Sequence, residues 1–503
     1  MKLSGQKGTG YNKYSQFIDK KMRLENKKTT SEIIQEAIFG KSKAEQMAEY
    51  KLDRAFEQKA RQHKFKKGRL GQSADGDNVD DHITSILQTI DGTIWTGEVY
   101  FARKSRLDLV FDTGSDWLVV EGVDCDECEQ NKYDPSTSAY SRQISTKSSQ
   151  RFYGSAVLSG TEWEDQICIL LNKCINNFQY FLISSQRGIF EPVDGILGMA
   201  RNKEHIFDID LGDYGPLIVN AMYDQDMIQT RKFSFFFVRQ QEERVSFVDF
   251  GAPQPQNMKN PNQIEYIKVL DDFFWSAYNQ GIAIGNLDDE NTYSYQGLAD
   301  YPDYVVDNSL YTILDTGSTA INFSSLYFED FIDKIFAYMG GLSYKVQDGL
   351  VKTKCYTNFP DLWFMFSNKW IKVDAKDYVF DITDSQDGSS CILLILPSNT
   401  PMHVIGMPLL VDYYTVHDMD QGTIGFVPHS ISSKTNLVSD AQPTQILVSS
   451  AATSSFGDLK SVYNVWTQLI CAAILAVAIV IFRFLLYGLI EGMTGWFWGS
   501  YWT

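Results

Sequence analysis

One acidic tetrapeptide, DTGS, occurs twice in this chain. It lies at 112–115 within "VFDTGSDWLVV" and at 315–318 within "TILDTGSTAIN". Each acid follows an apolar run, Gly permits a tight turn, and the Thr and Ser hydroxyls can hydrogen-bond the carboxylate or the loop. If folding brings Asp112 and Asp315 together, the two like charges cannot both ionise, and the pair shares one proton. One acid then deprotonates water as it attacks a carbonyl, and the other hydrogen-bonds the carbonyl oxygen.

An apolar element that contains Gly follows each copy of the tetrapeptide. These elements are "DGILGMA" at 194–200 and "HVIGMPL" at 403–409. Repetition of an acidic turn followed by an apolar-Gly strand predicts two similar β lobes.

Strand patterns dominate the chain from about His82 onward. Short β-branched or aromatic runs such as "TIWTGEVYF" and "DLWFMFS" are bounded by Gly, Asn, Asp and Ser, which predicts a mainly β body. Residues 30–67 instead carry helical spacing of apolar residues, which predicts helix.

Residues 92–428 resemble the pepsin-like (family A1) aspartic proteases. The two DTGS motifs, the later "VIGMPLLVDYYTVHDMDQGTIGFVP" and the segment "FYGSAVLSG", about 40 residues after Asp112, occur in the family's order. The resemblance implies a bilobal fold, peptide-bond cleavage in a cleft that holds an extended peptide, and neither metal nor cofactor. It implies a catalytic pair, Asp112 and Asp315; supporting residues Thr113, Gly114, Ser115, Thr316, Gly317 and Ser318; and flap residues Tyr153, Gly154 and Ser155.

The resemblance also assigns roles within these groups. The Thr113 and Thr316 hydroxyls would interlock beneath the acids, and Ser115 and Ser318 would orient the two carboxylates. This sequence departs from the family pattern near the flap. Val119 stands where a Trp usually bonds the flap Tyr, and Trp117 lies two residues earlier on the same strand face. Ala156 and Val157 stand where Gly-Ser is usual, which stiffens the hairpin.

Six of the seven cysteines fall into three pairs, and Cys471 stands alone. The pairs Cys125/Cys128, Cys168/Cys174 and Cys355/Cys391 indicate three disulfides in an oxidising compartment. The alternative is a zinc site, for which a single CxxC without nearby His is weak support. The resemblance places a second-lobe disulfide at Cys355 and Cys391.

Charge divides the chain into a basic N-terminal arm and an acidic body. Residues 1–70 hold 18 Lys+Arg and 8 Asp+Glu, which leaves 27 and 55 from the totals of 45 and 63. The arm, 1–81, can bind the acidic body as a pro-segment does in this family, or it is a solvated basic helix. Lys64, Lys66, Lys67 and Arg69 form a candidate processing site.

The C-terminal region carries a candidate membrane span. Residues 462–482 contain no charged residue, a length that crosses a bilayer as a helix. The predicted helix covers 462–490, after a Ser-rich stalk at 430–461 and before an aromatic interfacial tail at 491–503. A buried core helix is the alternative, and Arg483 and Glu491 disfavour a cleaved glycolipid-anchor signal. The N-terminus shows no apolar signal-peptide core.

Two functions from different classes follow. The first is a membrane-anchored aspartic endopeptidase with lobes at 82–240 and 241–429, acting on peptide or protein substrates and held as a precursor by its arm. The second is an accessory subunit of a membrane complex that keeps the protease fold with little or no cleavage. The body would face a secretory or cell-surface compartment or the mitochondrial intermembrane space, and neither function involves nucleic acid.

Overall fold

The computed structural model describes the central part of the chain. The described ranges are 82–89, 92–128, 130–153, 156–188, 193–201, 214–239, 245–270, 272–287, 292–294, 305–306, 309–347, 349–382, 391–398, 402–439 and 446–448. The predicted basic arm, membrane span and aromatic tail lie outside these ranges. Within them the chain is mainly β, as the sequence predicts.

Strands β1 to β13 cover the first half of the body. They are β1 His82–Gln88, β2 Thr96–Phe101, β3 Ser105–Asp112, β4 Leu118–Glu121, β5 Arg142–Gln143, β6 Ser149–Phe152, β7 Ala156–Leu170, β8 Lys173–Gly188, β9 Gly195–Gly198, β10 Lys232–Phe236, β11 Ser246–Gly251, β12 Glu265–Lys268 and β13 Ser276–Ile284. In β2 buried and half-buried residues alternate, as expected for a strand with one face on the core. The end of β3 is buried without interruption, as expected for a strand covered on both faces.

Strands β14 to β29 complete the described chain. They are β14 Thr292–Ser294, β15 Val305–Val306, β16 Ser309–Leu314, β17 Ile321–Ser324, β18 Tyr344–Gln347, β19 Leu350–Thr353, β20 Leu362–Phe366, β21 Lys369–Val373, β22 Val379–Asp381, β23 Cys391–Leu393, β24 Ile395–Ser398, β25 His403–Ile405, β26 Tyr413–Asp418, β27 Thr423–Pro428, β28 Val438–Ser439 and β29 Ile446–Val448. Sheets of 14, 11 and 4 strands form from the described residues.

The same four-strand arrangement occurs in the two larger sheets. In the 14-stranded sheet, β9 pairs parallel with β3 and antiparallel with β4, and β8 pairs parallel with β4. In the 11-stranded sheet, β25 pairs parallel with β16 and antiparallel with β17, and β24 pairs parallel with β17. Because β3 and β16 lead into the two DTGS loops, the sequence repeat corresponds to a structural repeat.

The middle of the 14-stranded sheet joins the two halves of the body. Strands β10 and β11 pair with each other, and β26 and β27 from the end of the body join them through β10. The aromatic rings of Phe233, Trp275 and His417 pack together there, with Phe233 stacked on His417 at 4.6 Å between centroids. The predicted lobe boundary at 240–241 falls between two paired strands and stays a prediction.

Helices are few among the described residues. The α-helices are α1 Ile218–Asp224, α2 Phe328–Tyr338, α3 Ala375–Tyr378 and α4 Met407–Leu410, and short 3-10 helices lie at Pro135–Thr137, Pro255–Asn257 and Pro261–Gln263. In α2 the buried residues recur at helical spacing from Phe328 to Phe336, and Glu329 and Asp330 lie in the first turn, where acids favour the helix dipole. Within the described residues, no helix has the length and apolar character that a bilayer span requires.

Three disulfides join the predicted cysteine pairs. They link Cys125 to Cys128, Cys168 to Cys174 and Cys355 to Cys391. Because a disulfide sulfur is not a thiolate, this pairing removes the alternative of a zinc site at Cys125 and Cys128.

The described part of the predicted stalk is packed on the body. Strand β28 pairs with β21, and β29 pairs parallel with β14. Between them and β27, Lys434 is buried, and its Nζ lies 3.1 Å from a carboxylate oxygen of buried Asp377 and donates to the Val411 carbonyl at 2.9 Å. A buried ammonium requires such partners, so the segment around Lys434 packs on the body, and the predicted boundary at 429 stays a prediction.

Candidate active site

The two DTGS loops face each other at the junction of the two larger sheets. Strand β3 ends at Asp112, and β16 ends at Leu314, just before Asp315. The elements that contain Gly lie directly behind the loops. The Gly198 N–H donates to the Trp117 carbonyl at 3.0 Å, and the Gly406 N–H donates to the Ala320 carbonyl at 3.1 Å. These matched backbone hydrogen bonds hold the two turns in equivalent positions.

The threonines of the two loops bond each other across the junction. The Thr113 N–H donates to Thr316 Oγ1 at 3.0 Å, and the Thr316 N–H donates to Thr113 Oγ1 at 2.9 Å. Each hydroxyl also donates to a carbonyl of the opposite strand, Thr113 to Leu314 at 3.0 Å and Thr316 to Phe111 at 2.6 Å. Four buried hydrogen bonds between residues about 200 positions apart therefore fix the spacing of the two acids.

The glycines of the two loops leave room for the opposite carboxylates. A Cβ at Gly114 would lie 2.7 Å from the Asp315 carboxyl carbon, and a Cβ at Gly317 would overlap an Asp112 carboxylate oxygen. Each acid therefore occupies the space that any other residue type would fill in the opposite loop.

The two carboxyl groups share a hydrogen bond but differ in their other partners. Asp112 accepts from the Gly114 N–H at 2.8 Å and from Ser115 Oγ at 2.5 Å. Asp315 accepts from the Gly317 N–H at 2.8 Å. Burial, followed by the charge of Asp112 and the hydrogen bond with it, raises the pKa of Asp315 well above its usual value, and the N–H groups of Gly317 and Gly114 oppose that rise. Asp315 is therefore suited to carry the shared proton.

Ser318 does not have the role that the resemblance implies. Its hydroxyl donates to the Ala320 carbonyl at 3.1 Å and accepts from Asn322 Nδ2 at 2.7 Å. Since a hydroxyl has one proton, Ser318 cannot also donate to Asp315. Ser115 donates to an acid and Ser318 supports its own loop.

The predicted flap corresponds to the hairpin of β6 and β7, which is called the flap below. Tyr153 directly follows β6, and its N–H donates to the Ala156 carbonyl at 2.8 Å. Its hydroxyl is hydrogen-bonded to Ser115, and burial together with the charges of Asp112 and Asp116 raises the pKa of Tyr153 well above 10. The phenol therefore stays protonated beside the acids. Gly154 and Ser155 lie outside the described residues.

Trp117 and Val119 lie side by side in the packing beneath the flap. Both are buried in a cluster with Ala156 and Phe181, and Tyr153 packs against it. The Trp117 and Phe181 rings meet edge to face at 6.3 Å between centroids.

Two charged residues near the acids, Asp116 and Arg151, lie outside the DTGS motifs and were not predicted from the sequence. Asp116 follows the first DTGS directly and is 9 % exposed. Burial raises the pKa of Asp116 to about 6, and the Gly215 N–H, at 2.6 Å from Oδ2, and the charge of Arg151 oppose that rise. Arg151 lies two residues before Tyr153, and strand alternation could have placed both on one face. The sequence signal that could have identified Asp116 is the difference between the two motifs: an acid follows the first DTGS, whereas a Thr follows the second.

The arrangement matches the requirements of acid–base chemistry at a carbonyl group. The raised pKa of Asp315 favours a proton on that acid, Ser115 donates to the partner acid, and Tyr153 adds a hydroxyl at the edge. A water molecule between the acids can lose a proton to one of them while the other donates a hydrogen bond to the carbonyl oxygen.

Comparison with known proteins covers most of the described body. A family model described as eukaryotic aspartyl protease matches residues 101–429. Plasmepsin IV of Plasmodium falciparum is 24% identical over 371 residues, which cover 72% of this chain and 73% of the relative. Vacuolar protease A of Arthroderma otae is 26% identical over 324 residues, covering 63% and 73%. Pepsin B of Canis lupus familiaris is 24% identical over 328 residues, covering 63% and 76%. The match includes both DTGS loops, and the chain belongs to the eukaryotic aspartyl protease family.

Proposed function

We propose that this protein is a membrane-anchored aspartic endopeptidase that cleaves peptide bonds with water activated between Asp112 and Asp315. The observation that carries the proposal is the contact of the two acids across the interlocked threonine loops, where burial and the charge of Asp112 raise the pKa of Asp315. A mere peptide-binding lobe pair has no need of carboxyl groups arranged to share one proton.

The proposed reaction uses the pair as base and acid in turn. The ionised carboxylate takes a proton from water as the water oxygen attacks the carbonyl carbon, and Asp315 gives its proton to the carbonyl oxygen. The tetrahedral intermediate, a gem-diol, then collapses: Asp112 gives its proton to the amide nitrogen, the carbon–nitrogen bond breaks, and one hydroxyl of the gem-diol returns its proton to Asp315. Ser115 and the Gly114 N–H stabilise the negative charge that Asp112 carries before the first step and again after the second.

Three parts of the chain set the proposed context. The three disulfides support an oxidising compartment, such as that of the secretory pathway. The uncharged stretch at 462–482 supports a single membrane span. The basic arm at 1–81 supports an inhibitory pro-segment that lies against the acidic body and is released as carboxylates protonate.

The experiment measures cleavage of a mixed peptide library by the full-length membrane-extracted protein from acidic to neutral pH. Asp112→Asn and Asp315→Asn are each expected to lower kcat/KM by at least about 10²–10⁴-fold, since each removes an acid or a base. Asp224→Asn, at an exposed acid on α1, is the control and should leave cleavage unchanged. N-terminal sequencing of the active sample shows whether the arm is removed.

A specific outcome would reject the proposal. The proposal is rejected if the wild-type protein cleaves no more than the Asp112→Asn variant at every pH tested and Met1 is retained. The paired acids are then not catalytic. Stoichiometric co-purification with membrane partners would then support the accessory-subunit interpretation.

A further inference from the structure

The flap strand β6 turns two functional side chains toward the body. Along Ser149–Phe152 exposed and inward positions alternate, and Arg151 is only 4 % exposed while Phe152 is 41 % exposed. Tyr153 lies two residues after Arg151 and therefore shares its inward face. A buried arginine next to the residue that reaches the acids requires partners on the body.

Two aromatic rings of the body contact the Arg151 guanidinium. Its central carbon lies 4.4 Å from the centroid of the Trp117 ring and 4.9 Å from that of the Phe181 ring. Trp117 lies between the first DTGS loop and β4, and Phe181 lies on β8. A planar guanidinium stacks on aromatic faces as an ammonium does not, so these contacts depend on arginine itself.

Hydrogen bonds of Arg151 connect the same group to the rest of the flap. Nη2 donates to Glu162 Oε1 on β7 at 2.8 Å, and Nη1 donates to the Gln150 carbonyl at 3.1 Å. The guanidinium therefore joins both strands of the hairpin to the two aromatic rings beneath them.

The substitution at position 119 explains why the flap needs this contact. Val119 has no hydrogen-bond donor for the Tyr153 hydroxyl, which is instead bonded to Ser115 next to Asp112. The Tyr153 hydroxyl reaches Ser115 only if β6 lies at the correct depth over Trp117.

We propose that Arg151 is the positioning residue of the flap, which it seats on Trp117 and Phe181 so that Tyr153 reaches Ser115. The effect on cleavage rests on the proposed protease function, whereas the effect on flap order does not. In the enzyme, Arg151 acts through Tyr153 and the flap backbone, and it contributes mainly to holding the peptide beneath the flap.

Hydrogen exchange and kinetics of the full-length protein test this role. Arg151→Ala is expected to raise the exchange rate of backbone amides in 149–153 and 156–160 by at least tenfold. It is expected to raise KM by about tenfold or more with a smaller change in kcat, since loss of an interaction made equally in the ground and transition states acts on KM. Arg151→Lys keeps the charge and loses the planar stacking, so it should give an intermediate change in both measurements.

A matched control lies on β5, a neighbouring strand that pairs with β7 as β6 does. Arg142 on β5 pairs with Glu164 Oε1 on β7 at 2.7 Å, but its side chain is 71 % exposed. Arg142→Ala removes an arginine–glutamate pair from β7 without touching Trp117, and it should leave flap exchange and KM unchanged.

The outcomes separate the two proposals. Wild-type flap exchange in Arg151→Ala, or a lysine variant equal to wild type, would overturn the role of Arg151 even if the Asp112→Asn variant shows that the protein cleaves peptides. If Arg151→Ala raises flap exchange but the wild-type protein cleaves no peptide, the positioning role of Arg151 is supported and the proposed protease function is rejected. If Arg151→Ala does not fold, the comparison of Arg151→Lys with wild type and Arg142→Ala decides.

Discussion

The two DTGS loops have the same four letters and the same backbone environment but different side-chain partners. Around the first loop, Ser115 donates to Asp112, Tyr153 bonds Ser115, and Asp116 lies buried next to them. Around the second loop, Ser318 donates to a carbonyl of its own loop and Asn322 bonds Ser318. The tetrapeptide thus builds an equivalent backbone cradle twice, and the residues outside it make the two acids unequal.

In the proposed reaction, this inequality suits Asp112 to act as the base and Asp315 as the acid. The first carboxylate has hydroxyl and N–H donors that stabilise negative charge. The pKa of Asp315 is raised by burial and by the neighbouring Asp112. Breaking or exchanging the partners of one loop at a time tests whether the difference is functional.

The largest effect is expected from the shared feature of the loops, their glycines. Gly317→Ala would place a Cβ against Asp112, and Gly114→Ala would place one against Asp315. Either change must move a carboxyl group, and a displacement of about 1 Å lowers kcat/KM by about 100-fold. Peptide-cleavage kinetics of both variants check this expectation.

Gly349→Ala is the matched control for the glycine variants. Gly349 has a φ of +82°, and a Cβ there would lie 3.8 Å from its nearest neighbour, Pro397. The substitution should lower the unfolding temperature through backbone strain and leave kcat/KM unchanged. If all three variants lose activity in proportion to stability, the loop glycines have no specific role in placing the acids.

A smaller effect should separate the two serines. Ser115→Ala removes a hydrogen bond to an ionised carboxylate, which contributes about 1.5–3 kcal/mol. We therefore expect kcat/KM to fall about 10–100-fold, whereas Ser318→Ala should change it less than about threefold because its hydroxyl donates to a carbonyl. Equal losses in the two variants would mean that the asymmetry of the loops has no catalytic consequence.

The smallest effect is on the pH dependence of stability, through one buried ionisable residue near each loop, Asp116 and His403. Asp116 has a pKa raised to about 6 by burial, so between pH 3.8 and 6 the folded state binds more protons than the unfolded state, and the free energy of unfolding falls as pH rises. His403, on β25 behind the second loop, has a pKa lowered to about 3 by burial. For His403 the unfolded state binds more protons below pH 6.5, so the free energy of unfolding falls as pH falls.

Removal of either group should change the pH dependence of stability in opposite directions. In the wild-type protein, Asp116 should make the free energy of unfolding fall by about 1–2 kcal/mol from pH 5 to pH 7, at about 1.36 kcal/mol per pKa unit. Asp116→Asn should remove that fall. His403→Asn keeps an acceptor for the Ser324 N–H, which donates to Nδ1 at 2.9 Å, and should remove a similar loss that accompanies falling pH. Denaturant unfolding at pH 5 and pH 7 measures both, and parallel curves for variants and wild type would contradict the assignment.

Local sequence was sufficient for much of the fold and for the core of the site. Strand alternation predicts the mainly β body, close spacing predicts the pairs Cys125–Cys128 and Cys168–Cys174, and the repeated DTGS identifies the two acids. These features depend on residues that are neighbours in the chain, or on a pattern written twice. The contacts of Lys434 with Asp377 and Val411 join distant parts of the chain, so no local pattern predicts them.

The amino-acid sequence alone determined that the chain has two acidic turns after buried strands, since apolar runs, Gly and Asp prescribe that geometry locally. Only the tertiary structure decided which serine serves an acid, that Asp116 is buried, and that Arg151 lies on Trp117. The reason is physical. A side chain bonds whichever partner the fold brings within reach: Ser115 and Ser318 have both local and distant candidates, and Asp116 bonds Gly215, 99 residues away, which no local pattern predicts.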